Sequence, residues 1–373
     1  MNEFELIDAV MPDMPSSDPG KVAEARARVL NGGRRRRVSA WTGVLVASAA
    51  TVAVIGAIAV VPRLGGGPVA TVTQTSAEEV LSAAADRMAR RQEATGGRYW
   101  RREMEQVYRQ RISVGGREFV AEDRVRDVLW NGIDRNKVMV FSGLGTRPFT
   151  AADRAEWEKA GSPWLCGSDT DCRNDMIPIG KTRYLVTGKE EGLEQSTSKL
   201  SVREILDLPH DPAELKEKLL SYWPAEREAM KDSQSTSSAQ VKLPEQDYWL
   251  WGLGERLLLD APTTPGTRAA VYHMLAGLPG VRIADEVRDT EGRVGVAILR
   301  GANGEGEEQI VIDRETGDLL ATQDVLPVPT AGQENIPPGI VYMSMVIKKL
   351  GWTDDEPVIP EGCGPYQKEE CLR

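Results

Sequence analysis

Tyr99-Trp100-Arg101-Arg102-Glu103-Met104-Glu105-Gln106-Val107-Tyr108 is the stretch that decides the fold. It holds no Gly or Pro, and it separates into two sets at a spacing of two. Tyr99, Arg101, Glu103, Glu105 and Val107 alternate with Trp100, Arg102, Met104, Gln106 and Tyr108. Successive side chains of a strand point to opposite faces, so this spacing predicts a strand beginning just after Gly96-Gly97. Residues 118–123, 126–130, 137–141 and 182–187 have similar composition and extend the sheet.

On the N-terminal side of this strand, Ser76 with Glu79 three residues on has the form of a capping box. It predicts a helix from 76 to about 93, with Val80, Leu81, Ala84, Ala85 and Met88 as the apolar face. On the other side, residues 153–159 read as a short helix. A helical block follows at 201–206, 212–220, 247–259 and 267–275. Residues 231–240 are polar and Ser-rich and read as a mobile loop. Closing strands are expected at 281–289, 293–299, 308–312, 319–325 and 340–349. Gly301-Ala302-Asn303-Gly304-Glu305-Gly306 forms a hairpin loop among them. Strands that flank a central run of helices predict an α+β fold with an antiparallel sheet.

Residues 38–61 are 24 positions without a charge, directly after Arg34-Arg35-Arg36-Arg37. A helix of that length rises about 36 Å, enough for a hydrocarbon core of roughly 30 Å. The arginines read as a cytoplasmic flank, which places residues 1–37 inside and the rest outside. Ala57-Ile58-Ala59 offers an A-x-A cleavage pattern. Against cleavage stand the length of the apolar run and the 37 residues before it, so an uncleaved signal anchor is expected. The domain plan is then an arm at 1–37, a span at 38–61, a linker at 62–75, an outer domain at 76–350 and a Cys-bearing tail at 351–373. Within the arm, Asp18-Pro19 is a good start for a helix that ends at Asn31-Gly32-Gly33. So short a segment cannot build a core of its own.

The chain carries a net charge of −10. Before residue 64 there are eight Lys/Arg and six Asp/Glu, so the remainder carries −12. An acidic outer part argues against a nucleic-acid partner. Cys166, Cys172, Cys363 and Cys371 all follow the span, as disulfides in an oxidising compartment would. Four cysteines allow three pairings, of which two local loops are the most economical. Neither pair has zinc-ligand spacing, so no metal is expected.

Catalytic raw material is sparse. There are two histidines: His210 lies in a helix-entry turn, and His273 lies within a helix. No G-x-S-x-G, H-E-x-x-H or S-x-x-K is present, and the glycines lack phosphate-loop spacing. Asp169, Asp171, Asn174 and Asp175 supply oxygen atoms near the first Cys pair, but without an EF-hand pattern they read as a solvated loop. No cofactor and no enzyme activity are expected. Trp249, Trp251, Leu253 and Leu257 on one helix are the candidate lining of an apolar ligand groove.

Several stretches resemble a family as a set. They include Ala25-Arg26-Ala27-Arg28-Val29-Leu30, the Arg run with its span, and Leu208-Pro209-His210-Asp211-Pro212-Ala213-Glu214-Leu215. Two more are Arg268-Ala269-Ala270-Val271-Tyr272-His273-Met274-Leu275-Ala276-Gly277-Leu278-Pro279-Gly280-Val281 and Ile310-Val311-Ile312-Asp313-Arg314-Glu315-Thr316-Gly317-Asp318-Leu319-Leu320. Together they resemble an actinobacterial family of single-pass membrane proteins of unknown function. The likeness covers nearly the whole chain, although family members typically lack cysteines matching Cys363 and Cys371. It implies a LolA/RseB-like outer domain, a curved antiparallel half-barrel with covering helices. It also implies a link to extracytoplasmic-function sigma factors, although the arm has no H-x₃-C-x₂-C zinc signature.

Two functions are consistent with this plan. In the first, the protein is a membrane-anchored sensor or regulator whose arm holds a sigma factor or another cytosolic protein. In the second, the outer domain is a tethered module that binds lipid or lipoprotein without turning it over.

Overall fold

In the computed structural model the alternating stretch becomes β1, Tyr99–Val114, near the middle of a ten-stranded sheet. The structure describes residues 76–92, 97–133, 135–165, 179–189, 193–195, 198–235, 244–302, 306–326, 338–363 and 371–372. The expected arm, span and linker, and the Cys166–Cys172 loop, lie outside them. Among the described residues no helix is long and apolar enough to cross a membrane.

The helices are α1 (Ala77–Ala89), α2 (Ala151–Lys159), α3 (Val202–Leu206), α4 (Pro212–Leu220), α5 (Trp223–Ser235), α6 (Gln246–Leu259) and α7 (Pro265–Ala276). After β1 come β2 (Arg117–Asn131), β3 (Asn136–Pro148), β4 (Thr182–Lys189), β5 (Leu193–Gln195) and β6 (Ser198–Leu200). The later strands are β7 (Val281–Arg288), β8 (Val294–Ala302), β9 (Gly306–Ile312), β10 (Leu319–Leu326), β11 (Ile340–Thr353) and β12 (Cys371–Leu372). The sheet order is β12-β4-β3-β2-β1-β11-β10-β9-β8-β7, and every neighbouring pair is antiparallel. β5 and β6 form a separate hairpin. This is the α+β arrangement that the strand and helix pattern predicts.

Capping explains most helix starts. Ser76 accepts from the Glu79 amide while the Glu79 carboxylate accepts from the Ser76 amide, which completes the predicted box. Thr150 with Asp153 and Ser201 with Glu204 repeat the device. Thr264 caps α7, which opens on Pro265, and Asp211 caps α4, which opens on Pro212.

Several elements differ from the sequence expectation, among them the unpredicted β5–β6 hairpin. β2 runs unbroken through Arg124-Val125, where two strands with a gap are predicted. The charge that suggests a break is matched within the sheet, because Arg124 pairs with Glu122 at 2.8 Å and Glu105 at 3.0 Å. α5 extends to Ser235, across part of the segment expected as a loop. Trp223 and Met230 pack on the main core, and that tertiary contact sustains a helix its polar end would not sustain alone. The tail also returns to the sheet. Gly351–Thr353 completes β11, and Cys371–Leu372 pairs with Tyr184 and Arg183 of β4. Cys363 and Cys371 form a disulfide with Cα atoms 5.4 Å apart, which closes the route to that edge.

One face of the sheet, called inner here, carries the helices. Met104, Val296, Ile298, Ile310, Ile312, Leu319 and Ile347 meet α1, α6 and α7 there, and α3–α5 join the same core. α6 and α7 cross closely at Gly254, where an added Cβ would stand 2.8 Å from Leu275 Cδ2. Gly317, at φ 78°, turns β9 into β10 against the backbone of α1, and Tyr272 Oη donates to its carbonyl at 3.1 Å. The outer face of β1–β3 is a lattice of ion pairs centred on buried Glu122, which meets Arg109, Arg124 and Arg147.

Candidate functional site

α6 is apolar almost all round, yet one stripe of it faces the sheet with polar groups. Tyr248, Trp251 and Glu255 are spaced three and four apart, which places them along one side of the helix, and Asp260 is its C-cap. Tyr248 Oη donates to Glu308 Oε1 of β9 at 3.3 Å. Arg300 of β8 donates to the Asp247 carbonyl at 3.0 Å, and its guanidinium lies 4.8 Å from the Tyr248 ring centre and 5.8 Å from that of Trp251. Beyond the end of the helix, Asp260 pairs with Arg102 of β1, which also holds Asp127 of β2 at 2.7 Å. Gln106 adds a bond to the same Asp127 oxygen at 3.0 Å.

Strand register explains why these groups converge. Directly opposed residues share a face, so one inner-face row reads Arg300, Glu308, Asp324, Met343, Tyr108, Asp123 and Thr146 from β8 to β3. The next row holds Ile298, Ile310, Thr322, Met345, Gln106 and Val125. α6 lies over the first part of both rows, and Glu255 meets Thr322, Asp324 and Glu308 there.

Burial governs the charge state of this cluster. It pushes the Glu255 carboxyl up to about 7 against a hydrogen bond from the Thr322 hydroxyl, and the nearby charges of Asp324, Glu308 and Asp260 add to the rise. Burial together with Glu308 pushes Asp324 up to about 6. Glu308 is raised by burial despite Tyr248 and Arg300, and Asp127 is raised by burial despite Arg102. Glu308 Oε2 and Asp127 Oδ1 are buried without a hydrogen-bond partner. Among the described residues, no three acidic, His or Cys side chains are arranged to hold a metal ion.

Toward β4 the same face changes character. Val125, Met139, Phe141 and Met343 are half-buried, and Leu185, opposite Met139, is 41 % exposed. α2 covers only the far end of this region, over Ile112, Phe119 and Ala121 with Leu165. Leu144 and Ile179 are exposed near the β3 bulge, where Ile179 lies against Gly145 and bridges to Gly143.

The four residues predicted to line a groove sit together on α6. All of Trp249, Trp251, Leu253 and Leu257 are buried in the main core, with Trp249 packed on Trp223 at 5.3 Å between ring centres and a tilt of 48°. Arg34, Arg35, Arg36, Arg37, Cys166 and Cys172 lie outside the described residues. His210 hydrogen-bonds Thr264 at 3.0 Å and lies beside Gly266, at the entry of α7. Sequence reasoning missed the row of Glu255, Glu308 and Asp324. Its one local trace is Glu255, seven residues on from Tyr248 in a largely apolar helix. The rest needs strand register.

No protein-family model matches this chain, and no curated protein sequence matches it.

Proposed function

We propose that the protein is a membrane-anchored extracytoplasmic sensor or regulator. Its outer domain is a LolA/RseB-like half-barrel that takes an amphiphilic envelope ligand on its inner face. The span at 38–61 anchors it with the N-terminus in the cytoplasm, and the arm engages a sigma factor or another cytosolic regulator. Binding without turnover is the activity assigned to the outer domain.

The observation that carries this reading is the division of one sheet face into two parts. Helices fill most of the β7–β11 part, while Met343 at its border and Val125, Met139, Phe141 and Leu185 on the β2–β4 side stay partly open. Partly open apolar side chains beside polar Tyr108, Gln106 and Asp127 suit a ligand with an apolar body and a polar head. That same strip supports the second reading, a tethered module for lipid or lipoprotein. Trp249 to Leu257 would then form the packed wall beside the ligand.

The test is to purify the full-length protein in mild detergent alongside a version lacking residues 3–30, and to identify what each retains. A cytosolic regulator lost with the arm, together with an amphiphile kept by both, is the expected result. Lipids or envelope proteins kept equally by both, with no cytosolic partner, would leave only the tethered module. Retention of neither by either protein would overturn both readings.

A further inference from the structure

The two signs of charge on the outer face of β1–β3 lie at different depths. Glu122 takes Arg109, Arg124 and Arg147, and Glu103 takes Arg101 and Arg126. Glu105 takes Arg124 and Lys348, while Glu118, near the β1–β2 turn, takes Arg111. The turn from β7 to β8 reaches the border of this face, where Asp289 holds Arg293 and Glu291 meets Lys348. With Lys349, which stands opposite Glu103, nine cations gather around six carboxylates.

Most of these carboxylates are sunk, and the cations stand above them. Arg147 is 63 % exposed over Glu122 at 3 %, and Arg126 is 46 % exposed over Glu103 at 19 %. Arg293 and Asp289 repeat the order. Glu118 alone projects clearly beyond its partner. The face therefore presents guanidinium and ammonium groups outward, held in place by carboxylates beneath. The rest of the chain differs, because the part after residue 63 carries −12. The opposite face of the same sheet holds Asp127, Glu308 and Asp324, with Glu255 of α6 over it.

Arginine forks meet phosphate through two parallel hydrogen bonds, and cationic protein surfaces are drawn to anionic lipid. A face three strands wide, with strands of 13 to 16 residues, is a broad surface and not a cleft. It matches a layer of phosphates better than a single small ion. Between the span proposed at 38–61 and Ser76 lie 14 residues, which reach at most about 50 Å when extended. That tether keeps the face within reach of the bilayer.

We propose that the outer face of β1–β3 docks on anionic phospholipid headgroups of the membrane that anchors the protein. The inner face, with its open apolar strip, then turns away from the bilayer. This assignment rests on the anchorage proposed above.

The experiment places the full-length protein in nanodiscs of phosphatidylcholine alone or mixed with phosphatidylglycerol. Arginines are labelled with phenylglyoxal at low salt, and each site is read by mass spectrometry. Arg126 and Arg147 are expected to label at least about threefold more slowly in the anionic discs, with the difference lost at high salt. Arg111 is expected to share this slowing, and to lose it in Arg126→Gln combined with Arg147→Gln. Arg90, 71 % exposed on the C-cap of α1, is the control and should label equally in both discs. Equal labelling of Arg126 and Arg147 in both discs, or an equal slowing at Arg90, overturns the docking face. If the double variant fails to fold, the salt dependence in the wild type decides. A protein that does not stay with the discs overturns the anchorage and the docking face together, whereas equal labelling of retained protein overturns the docking face alone.

Discussion

Arg102 and Asp127 are joined at 2.7 Å across β1 and β2, and both side chains are almost wholly removed from solvent. The same guanidinium reaches Asp260 at the end of α6, so one cation ties two strands to the helix layer. Removing it would leave Asp127 buried without a counter-charge. Arg102→Ala is expected to cost about 3–5 kcal/mol, measured by urea unfolding. Arg102→Ala combined with Asp127→Asn should recover part of that loss, and an equal loss in both would refute the pairing as the cause.

Stability should fall as pH rises through the slightly acidic range. Glu255 and Asp324 titrate higher in the folded chain than unfolded, so the folded state holds extra protons between about 4 and 7. Where the native state binds more protons, unfolding free energy declines with increasing pH. For Glu255 the shift corresponds to about 3 kcal/mol lost by pH 8. Glu255→Gln should flatten this limb in denaturant titrations from pH 4.5 to 8; an unaltered slope would exclude Glu255 as its source.

On the acid side Glu122 acts in the opposite sense. Burial pushes its carboxyl up, but hydrogen bonds from Arg124 and Arg109 outweigh that and hold it below the usual carboxylate range. Its contribution is present above the ordinary Glu range and disappears as pH falls below it. Glu122→Gln should therefore weaken the protein at pH 7 and matter much less at pH 3, a comparison open to thermal unfolding.

Two glycines of α6 should respond oppositely to alanine. At Gly254 the new Cβ meets Leu275 at 2.8 Å, and overpacking that helix crossing should cost about 1–3 kcal/mol. At Gly252 no atom lies within 4 Å of an added Cβ, so alanine should stabilise by about 0.5–1 kcal/mol through helix propensity. Paired melting curves decide this, and a loss at Gly252 would contradict the described packing.

The disulfide closes a short loop, with eight positions separating Cys363 from Cys371. Loop closure of that size is worth about 2–3 kcal/mol in chain entropy. Replacing both cysteines with Ser should lower stability by up to that amount and release β12 from β4. Faster exchange at Tyr184 and Arg183 would register the release, and unchanged exchange would show that β12 is held by other contacts.

Much of the described fold is written locally. Capping at Ser76, Thr264-Pro265 and Asp211-Pro212 and the period-two pattern of 99–108 each arise within a few residues of chain, so composition and spacing reveal them. α5 was less legible, because contacts from Trp223 and Met230 to distant parts of the core maintain it. The hairpin β5–β6 and the two-residue β12 were hidden for a related reason. Elements that short have no periodicity to detect, and β12 exists through its pairing with β4.

By itself, then, the sequence determined an acidic α+β chain with a charge-free stretch of membrane-spanning length, an antiparallel set of strands and a central helical block. Hydrophobic period, helix caps and charge distribution are properties of neighbouring residues. Only the tertiary structure decided that Glu255 would meet Glu308 and Asp324, that Trp249 to Leu257 would be buried, and that an apolar strip would remain open toward β4. Those outcomes depend on strand register and on which helix lies over which row. Both are set by contacts between residues far apart in the chain, where burial converts ordinary carboxylates into groups that titrate near neutrality.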